Sequence, residues 1–234
     1  MRSLDDLITT DEPAWPDLSA EFAAAESVHV LPVEQRAGEA CLVSLQVTVR
    51  SRLGAMARHT GGVLVDDGWV RVYGGGSPGF PSLADMNQLD GPPPALAVGH
   101  DVVGGLFEVN GPQVPADRPG SPGEVCYFAP DTLGWESLGV GYGDWLSWLA
   151  SGATHQFYDG LRWSTWRAEI AGLRLDQGFT VYPFLCTTEA RADMDATTRS
   201  PAPIAEVIDF TQDLARQLTD LPDGGSFALR ATDA

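Results

Sequence analysis

Lysine is missing from this 234-residue chain, and 14 arginines stand against 32 acidic residues, for a formal charge of −18. A protein that tracks a phosphate backbone needs clustered cations to displace counterions. Scattered arginines do not supply them, so nucleic acid is excluded as a partner and the charge favours a basic partner or plain solubility. Long apolar runs are absent too. No stretch approaches the roughly 18 residues of a membrane span, and Met1-Arg2-Ser3-Leu4-Asp5-Asp6 opens no signal peptide. The expectation is a soluble, unexported, cytoplasmic protein. Cysteine is scarce: Cys41, Cys126 and Cys186 are odd in number, lack C-x-x-C spacing and lie in apolar runs. They read as reduced core residues rather than as a disulfide framework or a reactive thiol. The four histidines, His29, His59, His100 and His155, share no ligand spacing, and no metal site is expected.

What is present argues for a folded core. Hydrophobic residues make up 44% of the chain, and seven are tryptophans, which excludes wholesale disorder. Ser3 followed by Asp6 predicts a short capped helix, and Pro16 starts a second that turns Leu18, Phe22 and Ala25 inward. Val43, Leu45, Val47 and Val49 alternate with polar residues and predict a strand with one buried face. Val63-Leu64-Val65 and Trp69 to Tyr73 flank Asp66-Asp67-Gly68, whose turn chemistry predicts a tight hairpin. Strand-like runs follow at Leu96–Val98, Leu106–Val109, Val125–Ala129 and Trp135–Leu138, the pattern of an antiparallel meander. Pro92-Pro93-Pro94 and Pro112 to Pro122 read as loops. Helices are predicted over Tyr142–Ala150 and Trp163–Leu173, a strand over Phe179–Leu185, and a long helix beginning at Pro201 or Pro203 that carries Ile204, Val207, Ile208, Thr211, Leu214 and Leu218 at helical spacing. Helices, then strands, then helices describe a single α+β domain over residues 1–221, mostly antiparallel sheet with helices from both ends of the chain packed on it, and a flexible acidic tail at 222–234.

The motifs that resemble chemistry fall to local physics. Gly74-Gly75-Gly76-Ser77-Pro78-Gly79 matches G-x-G-x-x-G, but Pro78 interrupts the helix that a dinucleotide site needs, and the only candidate helix, Ser82–Leu89, is short. Read as G-x-S-x-G, the same loop places Pro78 directly after Ser77. Proline has no N–H to donate to an oxyanion, so half of the hole is missing. The pairs Asp5-Asp6 and Asp66-Asp67 are explained by a helix's first turn and a tight turn. Five tryptophans, Trp135, Trp145, Trp148, Trp163 and Trp166, cluster with Tyr142, Phe157 and Tyr158. Their spacing packs helices onto the sheet, and an exposed ring beside Arg162 or Arg167 would anchor a partner.

The strings Leu45-Gln46-Val47-Thr48 with Arg50-Ser51, His59-Thr60-Gly61-Gly62-Val63-Leu64-Val65-Asp66 with Gly68-Trp69, Asp101-Val102-Val103-Gly104-Gly105, Tyr127 to Leu133, Phe157 to Trp163 and Asp176-Gln177-Gly178 resemble the bacterial family catalogued as domain of unknown function 2625. That resemblance spans nearly the whole chain, from Arg2 to Leu218, and implies a boundary but no activity. The order of elements from Leu96 to Ser151 is similar to the SUKH immunity superfamily, which implies a mixed α+β protein that neutralises a nuclease toxin. The leading expectation is therefore a non-catalytic binding protein, without cofactor or metal, capping a basic protein such as a nuclease toxin through Asp66, Asp67, Trp69 and Asp131. The alternatives are a small-ligand-binding protein or enzyme with a pocket at the sheet lined by Arg50, His59, Arg71 and Asp101, where arginines on strands clamp an anion, and a homodimeric scaffold joined by apolar edge strands.

Overall fold

The computed structural model of the chain describes residues 1–87, 93–116 and 118–219. In chain order the elements are α1 (Leu4–Ile8), α2 (Trp15–Ala24), β1 (Val28–Leu31), α3 (Gln35–Leu45), α4 (Arg52–His59), β2 (Gly62–Val65), β3 (Val70–Tyr73), α5 (Leu83–Asn87), β4 (Ala95–Asp101), β5 (Leu106–Asn110), β6 (Glu124–Ala129), β7 (Gly134–Gly141), α6 (Tyr142–Ala150), α7 (Thr154–Phe157), a 3-10 turn (Asp159–Leu161), α8 (Trp166–Ile170), β8 (Gln177–Tyr182), α9 (Thr188–Ala192), β9 (Thr198–Pro203) and α10 (Ile204–Leu218). Strands β1 to β7 form one antiparallel sheet whose spatial order is its chain order, and β8 pairs with β9 in a separate hairpin. The protein is α+β, as its pattern of elements predicts.

Side chains alternate across a strand, so the β2–β3 register places Val63 opposite Val72 and Val65 opposite Val70 on one face. Phe107 and Tyr127 continue that face across β5 and β6. Helix α6 buries Trp145, Leu146 and Leu149 against it, with the Trp145 and Phe107 rings 5.1 Å apart. A ring of this size removes about 150–250 Å² from water, worth about 4–6 kcal/mol before entropy is counted. The opposite face carries Arg71, Tyr73 and His100, closed by Phe80. The β8–β9 hairpin joins this body through Phe179, whose N–H donates to the Val102 carbonyl at 2.7 Å. Helix α10 then follows Pro203 and buries Val207, Ile208, Thr211 and Leu214, the stripe its spacing demands.

The predicted hairpin forms as its turn chemistry requires: Asp66 and Asp67 take φ of 50° and 54°, and Gly68 takes 87°. The strand predicted at Val43–Val49 does not form. Residues 35–45 are helical, because Gly38, Cys41, Leu42 and Leu45 recur at i, i+3, i+4 and i+7, and this inward stripe prevails over the alternation that overlaps it. Gln46 caps the helix in the left-handed region (φ 55°), and Val47–Val49 cross as a connector tied to α1 by the Val49 N–H. The helix predicted over Trp163–Leu173 is shorter, Trp166–Ile170, because Asp195 captures the Ser164 N–H and hydroxyl ahead of it. Pro201 lies in β9, an edge strand that tolerates a missing N–H. Strand β1, helix α4 and strand β9 carry no sequence signal strong enough to have been predicted. The acidic tail at 222–234, Pro92 and the far end of the predicted Ser82–Leu89 helix lie outside the described residues.

Candidate functional site

The hairpin tip expected to face a partner is mostly interior. Asp66 is 2% exposed, and its Oδ2 accepts from Arg162 Nη2 at 2.6 Å and Thr154 Oγ1 at 2.5 Å. His155 Nε2 lies 3.5 Å from Oδ1. Trp69 is wholly buried, packed against Tyr158, Trp163 and Trp166 at ring separations of 5.4 to 5.6 Å. The Arg162 guanidinium stands over Trp166 at 4.4 Å and over Trp69 at 5.1 Å, so the cation sits between a carboxylate and the faces of aromatic rings. Asp66 and Trp69 are thus corrected from partner contacts to interior structure: residues 154–170 fold over the tip and cover them. Asp67 alone stays outside, 3.0 Å from Arg167. Such an exposed pair contributes little.

The four residues expected to line a pocket do not converge. Arg50 is not on a strand; it lies in the turn before α4, exposed and paired with Glu12 at 2.7 Å. His59 ends α4 and stacks on Trp15 at 5.1 Å, and burial, with the nearby Arg58 charge, pulls its pKa below the ordinary value. Arg71 is on β3, but its Nη1 donates to the carbonyls of Arg174, Leu175 and Gln177, and its Nε to that of Gly68. Burial brings its pKa down to about 10. A guanidinium spent on four backbone carbonyls has little left with which to clamp an anion. Asp101 lies on the opposite face from Arg71, since Arg71 pairs with His100 in the register. Its carboxylate accepts from Tyr127 Oη (2.6 Å), Tyr158 Oη (3.2 Å) and the N–H groups of Val103 and Gly105. Burial pushes its pKa up, against the pull of those bonds. These contacts knit the β4–β5 turn to β6 and to Tyr158, which caps α7.

The glycine-rich loop uses its own amides. Gly75 N–H donates to Thr60, Gly76 to Gly61 and Ser77 to Phe80, leaving these amides committed within the fold. A Cβ at Gly75 would stand 2.3 Å from the Ala57 carbonyl oxygen, so glycine is required here for close packing on α4. His29, His59, His100 and His155 lie on four separate elements, and among the described residues no group of three His, Cys, Asp or Glu side chains is placed to hold a metal ion.

Two hollows open instead where the β6–β7 turn meets the β8–α10 segment. The first, about 340 Å³, has Tyr127, Ala129, Phe157 and Leu161 among its apolar walls and Asp131, Glu136 and Arg191 among its polar groups. Asp131 is the one expected contact that reaches a concave surface. The Arg191 guanidinium donates to the Asp131 backbone carbonyl, while the Asp131 carboxylate takes part in no hydrogen bond or ion pair among the described residues. Glu136 accepts from Thr132 at 3.3 Å. The second hollow, about 260 Å³, is an apolar groove between β8 and α10 beside the exposed ring of Phe210, and Leu185 lines both. Sequence reasoning missed Glu136, Arg191 and Phe210. For Phe210 a signal existed, an aromatic residue on the acidic side of the α10 stripe; the other two are ordinary polar positions that only the packing of α9 against the β6–β7 turn brings together.

The architecture is that of an α+β protein with an acidic, partly apolar recess at one end of a seven-stranded meander. The chain belongs to the family described as protein of unknown function DUF2625, whose model matches residues 4–207. It is similar to the putative uncharacterized protein YbfG of Escherichia coli (strain K12), 39% identical over 190 residues that cover 79% of this chain and 86% of that protein. It is also similar to an uncharacterized protein of Haemophilus influenzae (strain ATCC 51907 / DSM 11121 / KW20 / Rd), 31% identical over 193 residues, 79% of this chain and 83% of that one. No solved structure matches the chain significantly. Among the described residues, no helix is long and apolar enough to cross a membrane.

Proposed function

We propose that this is a cytoplasmic, non-catalytic binding protein that holds a basic protein partner at the recess rimmed by Asp131 and Glu136. The observation that supports this reading is the hollow itself: two carboxylates line a partly apolar cavity that also has aromatic walls, in a chain of net charge −18. An arginine or lysine entering it lays its aliphatic stem and cation along Tyr127 and Phe157 and meets the carboxylates at the rim. The surrounding negative field speeds encounter with a basic surface and makes the association sensitive to salt. Arg191 lines the same hollow and bonds the Asp131 carbonyl, so it offsets part of that negative charge and leaves the local balance of these three groups at one negative charge.

The test uses a fluorescent oligo-arginine peptide and anisotropy. The wild-type chain is expected to bind it at low salt and release it as salt is raised, because the Debye length shrinks to about 8 Å at physiological ionic strength. The double variant Asp131→Asn/Glu136→Gln is expected to lose most of that binding, and Glu12→Gln, on a distant exposed ion pair, to keep it. Equal binding by the double variant and the wild type would show that the recess is not the contact.

A further inference from the structure

The groove between β8 and α10 is a second opening that the recess does not explain. Its walls are Phe179 and Val181 from β8, Phe184 beyond it, and Val207, Phe210 and Leu214 from α10. Among the described residues, Tyr182 (66% exposed) and Phe210 (41%) are, with Met1, the exposed large hydrophobics. Their rings are linked through Phe184, at 5.7 Å from Tyr182 and 5.3 Å from Phe210. An aromatic ladder beside an apolar groove is the material of an interface hot spot.

Charge selects the occupant. On α10 the exposed Glu206 and Asp213 lie four residues before and three after Phe210, on the same helix stripe, and exposed Asp209 adjoins it. Of these, Asp213 is engaged by Arg216 at 3.3 Å, an exposed pair of little strength. Across Leu185, shared by both hollows, lie Asp131 and Glu136, with Arg191 beside them and a net negative charge for the three. The groove is therefore apolar along its length and acidic on two sides. A second copy of this chain would set these carboxylates against their own kind, and an anionic lipid surface would be repelled in the same way. A neutral apolar molecule would leave the acidic flanks without a partner.

We infer that the groove seats the apolar face of a basic, amphipathic segment of the partner protein, with aromatic or branched aliphatic side chains against Phe179, Val181 and Phe210 and arginines or lysines reaching the carboxylates on both flanks. The inference rests on the reading of the Asp131 recess as the site of a basic partner, and it adds that recognition needs apolar residues beside the cations. Recognition of this form reads an i, i+3, i+4 stripe of anchors and rejects segments that are merely charged.

The experiment titrates the full chain into two labelled peptides of equal length and charge. One alternates arginines with leucine and phenylalanine at helical spacing; the other separates its arginines with glycine and serine. The amphipathic peptide is expected to bind at least about tenfold more tightly, the effect of one hot-spot residue. Phe210→Ser should abolish that advantage while leaving the glycine-serine peptide's affinity unchanged. Glu206→Arg/Asp213→Arg, at exposed positions where folding is not at stake, should weaken the amphipathic peptide. Equal affinity of the two peptides, or an advantage that survives Phe210→Ser, overturns this inference and leaves the recess reading standing; failure of both peptides to bind overturns both. Light scattering that shows a dimer which Phe210→Ser dissociates, or native mass spectrometry that finds an apolar small molecule retained by the wild type and lost in the variant, assigns the groove to a different occupant and also overturns the inference.

Discussion

Two acidic turns of this molecule have opposite fates. Asp66-Asp67-Gly68 and Asp131-Thr132-Leu133 both cap antiparallel hairpins, and both place an aspartate near a residue with positive φ. At the first, residues 154–170 fold over the tip, and Asp66 becomes the buried counter-ion of Arg162 in a cage of aromatic rings. At the second, Arg191 of α9 bonds a backbone carbonyl, and the half-buried Asp131 lines a cavity. An aspartate in a hairpin turn is structure in one place and a candidate contact in the other, according to what packs on the tip.

Removing partners on each side is the sharpest way to test that contrast. Arg162→Ala strands Asp66 in the interior without its cation and is expected to cost about 3–5 kcal/mol in urea unfolding, the range for one member of a buried ion pair. A loss no larger than that of a surface substitution would mean the two turns are alike after all. The interior also holds a histidine that resists charge. Burial, with the Arg71 charge, brings the His100 pKa down to about 3 from 6.5, and its Nδ1 lies 2.8 Å from the Tyr73 hydroxyl. Because the folded value is depressed, His100 favours the folded state fully above pH 6.5, and this contribution falls as acid protonates the unfolded chain. About 2 kcal/mol should go between pH 7 and pH 5, and His100→Gln should flatten unfolding free energies measured across that window. If the slope is the same in both proteins, the histidine is not the cause.

Tyr158→Phe keeps the ring and removes a 3.2 Å bond to Asp101, for a loss of about 1 kcal/mol by thermal or urea unfolding. An effect near zero would show that the remaining donors satisfy Asp101 unaided. The smallest change belongs to the rim: Asp131→Asn should stay within about 0.5 kcal/mol of the wild type in stability while lowering affinity for oligo-arginine. Were it to unfold the protein, Asp131 would belong with Asp66 in the interior class.

How far each feature could be read follows from the range of the forces behind it. The β2–β3 hairpin was legible because Asp66-Asp67-Gly68 demands a turn that few other backbones satisfy, and α10 because its apolar stripe runs for four turns beyond Pro203. The meander was legible from short runs between glycine and proline connections. Residues 43–49 misled because two periods overlap there and the inward stripe of α3 begins earlier, at Gly38. The contacts proposed at Asp66 and Trp69 failed for a different reason: a turn residue's identity reports its φ, not the segment that will cover it 88 to 96 positions later. Asp131 reached a recess, but its companions Glu136 and Arg191 carry no local mark, since α9 and the β6–β7 turn meet only after the chain has closed.

Composition and local pattern thus settled the acidic charge, the absence of lysine and of apolar runs, the hairpin, the meander and the final helix, all of which depend on residues within a few positions of one another. Which carboxylates are buried, where the two hollows open, and that Arg71 is consumed by backbone carbonyls were set by contacts between residues 26 to 106 positions apart. Burial and pairing are properties of those contacts, and no window of the chain contains both partners.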